Sequence, residues 1–392
     1  MEGNRVVVVG GGMVGAALAV DLGRRGIPVR VLEARPPSRP AGAEPPRLRV
    51  SALNRRSIDY LEAIGAWPAL DPRRLADFDE VMTWDAGGGG RLRFSAEELG
   101  LERLGVFVEN DHLQAALLET AADLPAVRLD APAAELTIEP GANGPRLHLA
   151  GEGDLEPALA VAADGAASRL RDSAGITVRE GDYGQHAVVA SVRPRPAAGR
   201  QTWQRFTPEG PQALLPLADG NASLVWYVRP ARARELLAMT EADFIAAVEA
   251  CFPADLGLID RLHGRAGFPI RRLHAHRYWR GNVVLVGDSA HVIHPLAGQG
   301  VNLGLRDARA LAGQIGEATR RALPLAHPPL LGAYERARRA DNQLMQSIMS
   351  AFHVGFTAPV GPLAGVRGLG LQIADHGGWL KRRVLRYALD GR

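Results

Sequence analysis

Residues 6–33 read VVVVGGGMVGAALAVDLGRRGIPVRVLE. The four valines Val6–Val9 suit a strand buried on both faces of a parallel sheet. Gly10, Gly12 and Gly15 follow in a G-x-G-x-x-G pattern, and then a helical apolar spacing through Leu18 and Leu22 stops at Gly26. A second apolar strand, Val29–Leu32, delivers Glu33 to its end. In such a strand–turn–helix–strand unit the first glycine permits the tight turn. The second lets a pyrophosphate approach the backbone, and the third lets helix and strand pack closely. The helix start offers free N–H groups to the phosphates. Glu33 stands about twenty residues further on, where the dinucleotide fingerprint places a ribose-binding acid. An acid there favours a free 2′-hydroxyl, hence FAD or NAD rather than NADP.

Working outward, residues 36–46 form a proline-rich loop and residues 51–64 have the spacing of a helix. Short strands are expected over 72–99 around a glycine tip at 87–90, then a helix over 111–122 and strands near 127, 136–138 and 159–163. Alternating segments such as 187–192 and 223–228 predict an antiparallel sheet between about 181 and 267. The buried-strand signature returns at 283–286 and leads into a helix over 300–315, with further helices at 334–352 and 373–389. The fold class is therefore α/β. A doubly wound dinucleotide lobe (1–72, 100–180 and 268–330) holds an inserted antiparallel-sheet lobe (73–99 and 181–267), followed by a C-terminal helical region (331–392).

Two more glycine-bearing motifs sit at strand ends. Asp164-Gly165-Ala166-Ala167-Ser168-Arg169-Leu170-Arg171 reads as a turn into a helix. Gly287-Asp288-Ser289-Ala290-His291 follows the strand at 283–286, and His294-Pro295 with Gly298 and Gly300 forms an open turn before a helix that carries Asp307. A buried strand thus brings Asp288 to its C-terminal end, where α/β sheets bind ligands. The positive end of the next helix favours anything anionic held in the turn.

Composition narrows the classes. Hydrophobic residues at 46% and charged residues at 23% describe a globular chain rather than a disordered one. A net charge of +3 is far from a nucleic-acid-binding surface. The single cysteine, Cys251, excludes a disulfide framework and a cysteine-based zinc or iron–sulfur site, and no histidine pair has metal spacing backed by acids, so no metal is expected. No apolar run reaches the roughly 18 residues of a membrane span, and no signal peptide is read at the N-terminus.

The three motifs, in this order and spacing, resemble the FAD-dependent aromatic hydroxylases of the p-hydroxybenzoate hydroxylase fold, and within them the ubiquinone-biosynthesis hydroxylases of polyprenylated phenols. The stretch GDSAHVIHPLAGQGVNLGLRD at 287–307 carries most of the likeness, supported by RVSALN at 49–54, WQRF at 203–206, GPQALLPL at 210–217 and ADN at 340–342. The resemblance implies a glutathione-reductase-type FAD lobe. Gly10, Gly12, Met13, Val14, Gly15, Glu33 and Ala34 would bind the ADP half of FAD, Arg49 would lie against the pyrophosphate, and Asp164 and Gly165 would sit near it and near the path of a transient NAD(P)H. Gly287 and Asp288 would hold the ribityl chain, and Pro295, Gly298, Gly300, Val301 and Asn302 would line the isoalloxazine ring. His294 stands where many relatives have asparagine.

The implied chemistry is ring hydroxylation with NAD(P)H and O2 through a flavin C4a-hydroperoxide. Of the histidines that chemistry would consider for proton transfer (His186, His274, His276, His291 and His294), the motif favours His294, with Pro295 beside it, as the catalytic candidate. Trp203, Phe206, Trp226, Tyr227 and Phe268 are candidate walls of a substrate channel. A flavin-dependent halogenase is disfavoured because Lys381 is the only lysine. The alternatives are a hydroxylase of a soluble aromatic metabolite and an inactive FAD-binding scaffold. The basic, apolar tail after Pro359, with Trp379, Lys381, Arg382 and Arg383, reads equally as a packed helix or as a peripheral contact with an anionic membrane. The expected location is the cytoplasm, with peripheral contact at the inner face of the membrane and with other ubiquinone-biosynthesis proteins as an extension.

Overall fold

Val6–Val9 forms the strand its valines predict, and all four side chains are buried. In the computed structural model, which describes residues 6–357 apart from 43, 88–89, 142–143, 296–297 and 299, this strand lies in the middle of a six-stranded sheet. It is parallel to Leu159–Ala162 on one side and to Val29–Leu32 on the other. Val283–Leu285 and Val127–Asp130 continue the parallel order outward, and the short antiparallel strand Trp279–Arg280 closes one edge. The helix Met13–Arg24 packs against Asn110–Ala122 and Gly300–Arg320.

A second sheet has eight strands, in the order His291–Val292, Leu258–Ala275, Val178–Arg195, Ala222–Val228, Gly210–Pro216, Gln201–Thr207, Glu80–Asp85 and Arg91–Ser95. Every neighbouring pair is antiparallel except Gln201–Thr207 with Glu80–Asp85. Because side chains alternate across a strand, the two faces differ in content. One face carries Val188, Ala190, Trp203, Leu214, Leu224 and Trp226, covered by Leu236, Phe244 and Val248 of the helices Pro230–Ala238 and Glu241–Cys251. The opposite face carries mostly small side chains. Cross-strand partners Phe268, Ala187 and Tyr227 lie on it, as do Ala266, Val189 and Val225, and Gly264, Ser191 and Ser223.

The His291–Val292 strand comes from the third glycine motif, so its pairing with Leu273 and His274 ties the ligand end of the first sheet to the second. The boundaries expected at 181 and 268 fall inside the single strands Val178–Arg195 and Leu258–Ala275.

One expectation is corrected. Residues 51–64 are not one helix: Val50–Asn54 is a strand paired with Gly105–Glu109, and the helix is Arg55–Ala63. Asn54 makes the break, its side chain accepting the Ser57 N–H at 3.0 Å as an N-cap. The inserted lobe also contains the two covering helices, which the sequence reading did not assign. Their start signals were present in Pro230 at the first turn and in Thr240, which accepts the Asp243 N–H. The helix expected at 334–352 runs over Pro328–Thr357. The segment 373–389 and the basic tail lie outside the described residues. No helix among the described residues is long and apolar enough to cross a membrane.

Candidate active site

The three motif loops leave neighbouring parallel strands at their C-terminal ends, after Val9, Ala162 and Leu285. At Gly10, where φ is +99°, an added Cβ would lie 2.3 Å from the Ala163 carbonyl oxygen, so only glycine makes this turn. At Gly15 it would lie 2.1 Å from the Gly10 oxygen, which is the close helix–strand packing required of the third glycine. A Cβ on Gly12 meets no protein atom within 4 Å. That space lies before the start of Met13–Arg24, whose first turn contains no acid, so its N–H groups face a gap suited to an anion.

Glu33 reaches back across the same loop. Its Oε2 accepts the Gly11 N–H at 2.7 Å and its Oε1 accepts the Arg35 N–H at 2.7 Å. Each carboxylate oxygen retains a lone pair, so Glu33 both braces the loop and keeps acceptor capacity for a ribose. Ala34 beside it is exposed, and Met13 is partly buried against the core. Gln114, which sequence reasoning missed, donates to the Gly11 carbonyl at 3.0 Å from the helix below.

Asp164 and Gly165 stand next to Gly10. Gly165 has φ of +83° and open space around it. Asp164 Oδ2 accepts the Leu170 N–H at 3.3 Å, while Oδ1 is buried with no partner among the described residues. Burial raises this carboxyl above its ordinary value, against hydrogen bonds from Ser168 and backbone N–H groups. Arg171, read in the sequence only as part of the turn into a helix, donates to the Ala166 and Ser289 carbonyls and so links the second loop to the third.

Val14 is wedged between Gly287 and Gly304: an added Cβ would lie 3.2 Å from its Cγ2 at Gly287 and 2.4 Å at Gly304. These glycines let the first helix press directly against the third loop, which sets the spacing between the first and third motifs. The Asp288 side chain is solvent-accessible yet crowded by protein, and it makes no hydrogen bond to another described residue. Crowding by protein raises its carboxyl, while His291 and Arg49 draw it back down, so Arg49 faces it electrostatically.

Gly298 packs on Ala52, Gly300 has no neighbour at its Cβ position, and Val301 is partly buried against the core. Helix Gly300–Arg320 also has no acid in its first turn. The Asn302 side chain departs from its expected place along the ring. Its Oδ1 accepts from the Asn54 N–H at 3.1 Å and the Ser57 hydroxyl at 2.7 Å, and its Nδ2 donates to the Ala52 carbonyl at 2.8 Å. Asn302 therefore pins the Arg49–Asn54 segment to the third loop, leaving only its backbone for a ligand.

Among the histidines, His291 is committed to Asp307 at 2.5 Å. His274 is held down to about 4 by burial and by His291, so it is neutral near pH 7. His294 is fully buried, with ring contacts to Tyr183 at 4.7 Å and Tyr227 at 5.3 Å, while Pro295 beside it is exposed. Of the aromatic wall candidates, Trp203 and Trp226 point to the far face of the sheet and pack on Phe252. Tyr227 and Phe268 point to the near face.

These residues fit FAD. The gap at Gly12 suits the phosphate end, the partnerless Asp164 oxygen can accept from a sugar or ribityl hydroxyl, and the loops holding Asp288 and Gly300 continue that cradle. Asp288→Ala should keep the fold, because no hydrogen bond to another described residue is lost, and should release flavin. Loss of one charge-assisted hydrogen bond corresponds to about 1.5–3 kcal/mol, or roughly 10–100-fold in affinity. Protein purified with full flavin absorbance would refute the assignment.

The class of fold defined by this cradle is the FAD-binding α/β oxidoreductase. Residues 4–347 match the model of a family of FAD-binding domains, and the chain belongs to that family. It is 41% identical over 386 residues to the 3-demethoxyubiquinol 3-hydroxylase of Escherichia coli, covering 98% of each chain. It is 35% identical to the ubiquinone hydroxylase UbiL of Rhodospirillum rubrum over 98% of this chain and 89% of that one. Among solved structures, a PqsL variant of P. aeruginosa superposes with a TM-score of 0.77 at 26% identity, covering 94% of this chain and 99% of that one. The protein is an FAD-dependent monooxygenase.

Proposed function

We propose that this monooxygenase hydroxylates the ring of a polyprenylated phenol or benzoquinol in ubiquinone biosynthesis, with NAD(P)H as electron donor. The observation that carries the proposal is the position of the small-residue sheet face, reached from the third loop through the Tyr227–His294 contact. Ala187, Val189 and Ala266 present small apolar side chains there. The near-full-length likeness to two ubiquinone-pathway hydroxylases supports the same substrate class.

Bound FAD would supply the hydride and dioxygen chemistry. The residues proposed to hold it are Gly10, Gly12, Gly15, Glu33, Arg49, Asp164, Gly165, Gly287, Asp288, Gly298 and Gly300. Their task is to orient the ring, exclude water and place the positive end of Gly300–Arg320 where negative charge develops. His294, shut from solvent between two tyrosines, is assigned to positioning the Pro295 turn.

FAD-loaded protein given NAD(P)H, isotopically labelled dioxygen and a prenylated phenol is expected to place one labelled oxygen on the ring per nicotinamide oxidised. Oxidation indifferent to the phenol, yielding only hydrogen peroxide, would overturn the reading. Peripheral membrane contact through the tail after Pro359 extends the proposal. Equal liposome co-sedimentation with and without the residues after Asp375 would remove that extension.

A further inference from the structure

Beside the flavin loops lies a cleft of about 600 Å³, a size typical of small-molecule sites. The loop 44–49 forms one wall, the strand Leu258–Ala275 forms another, and Asp111 contributes from the start of its helix. Pro45, Pro46, Leu48, Gly264 and Phe268 make the lining largely apolar.

Its charges cancel. Glu44 and Asp111 stand against Arg47 and Arg49, and Arg47 is paired with Glu44 at 3.1 Å. His263 lies 3.0 Å from Asn221, and partial burial with Arg261 and Arg193 nearby keeps its pKa low, so it adds no charge near pH 7. The phosphates of a nicotinamide dinucleotide would meet as many acids as arginines here, whereas a hydrocarbon chain meets no such conflict.

The cleft adjoins the site. Arg49 belongs both to its wall and to the surroundings of Asp288. Phe268 is the cross-strand partner of Ala187, Ala187 is the partner of Tyr227, and Tyr227 touches His294. One of its lining residues, Phe268, is a large apolar side chain 36% exposed to water.

We propose that this cleft receives the isoprenoid tail of the substrate, the ring passing inward along the Phe268–Ala187–Tyr227 row; the proposal rests on the substrate class given above. Gly264 offers a clean plug. Its Cβ position meets only Leu48 Cδ2, at 4.0 Å, and lies in a strand that tolerates aromatic residues.

The test compares FAD-loaded wild type with Gly264→Phe on 2-geranylgeranylphenol and 2-methylphenol, and titrates both proteins with geranylgeraniol, a tail without the aromatic ring. The expected result is a fall of roughly tenfold or more in the kcat/KM ratio of tailed over tail-less phenol, with weaker geranylgeraniol binding and retained turnover of 2-methylphenol. Phe268→Asp, changed at an exposed position, should shift the ratio in the same direction and guards against a folding defect in the first variant. An unchanged ratio and unchanged geranylgeraniol affinity would overturn the proposal, as would a raised KM for NAD(P)H with tail preference intact. If wild type hydroxylated neither phenol, the substrate class would fall, while the geranylgeraniol titration would still decide the cleft.

Discussion

Gly12→Asp is expected to give a protein that melts at or above the temperature of the parental apoprotein and yet binds no FAD. Gly12 is the N-cap of Met13–Arg24, with φ −61° and ψ 172°, a conformation open to any residue, and it makes no side-chain cap. Aspartate is a favoured N-cap and complements the helix dipole, so the empty protein should gain about 0.5–1 kcal/mol. The new side chain, however, would occupy the space that no protein atom fills, and it would bring a negative charge to the place of the pyrophosphate. A loss of about a thousandfold in FAD affinity, or about 4 kcal/mol, is expected, read by flavin fluorescence titration beside apoprotein melts.

Gly15→Ala should behave in the opposite way. Its Cβ would lie 2.1 Å from a backbone oxygen, and overpacking of this kind typically costs about 1–3 kcal/mol, so the apoprotein itself should weaken. Flavin retention by Gly12→Asp, or equal damage to the apoprotein from both variants, would show that the two glycines do not divide the work between ligand and packing.

The first motif was legible because its constraints are local. A turn, a strand end and a helix start each impose a residue type within a few positions, and Gly10, Gly15 and Glu33 stand where those rules put them. Other features depend on partners far along the chain. The apolar spacing from Ser51 to Ile64 fits a helix, and only pairing with Gly105–Glu109 makes its first part a strand. Alternation dictates that Trp226 and Tyr227 face opposite ways, but which of them looks toward the flavin follows from where the covering helices settle. Asn302 looked like a ring contact because it sits in the turn motif. Its acceptors and donors come from residues about 250 positions away, beyond any local pattern.

Asp307 is the clearest case of a distant dependence, and its replacement should have the largest effect on the fold. Its carboxylate is fully buried and engages His291 at 2.5 Å, the Gly287 N–H at 3.1 Å and Arg338 at 2.8 Å. Asn342 donates to it at 3.2 Å, and Arg338 in turn bonds Asp341. Removing one member of such a buried charged set leaves the others uncompensated, so Asp307→Ala should cost about 3–5 kcal/mol. Because Gly287 then loses its acceptor, Asp288 should move and flavin affinity should fall as well.

The pH dependence has a definite sign. Burial would raise this carboxyl, but the charges and hydrogen bonds of His291 and Arg338 outweigh it and hold the pKa at about 2, below the ordinary 3.8. A depressed folded-state pKa contributes stability that is complete above the ordinary value and is lost as pH falls through the folded one, here about 2 kcal/mol between roughly pH 4 and pH 2. Urea midpoints measured down this range should therefore drop more steeply for the parent than for Asp307→Asn, which has no proton to take up. Parallel slopes would mean that Asp307 does not hold its charge in the folded protein, and the bracing of the Asp288 loop would then have to come from packing around Val14 alone.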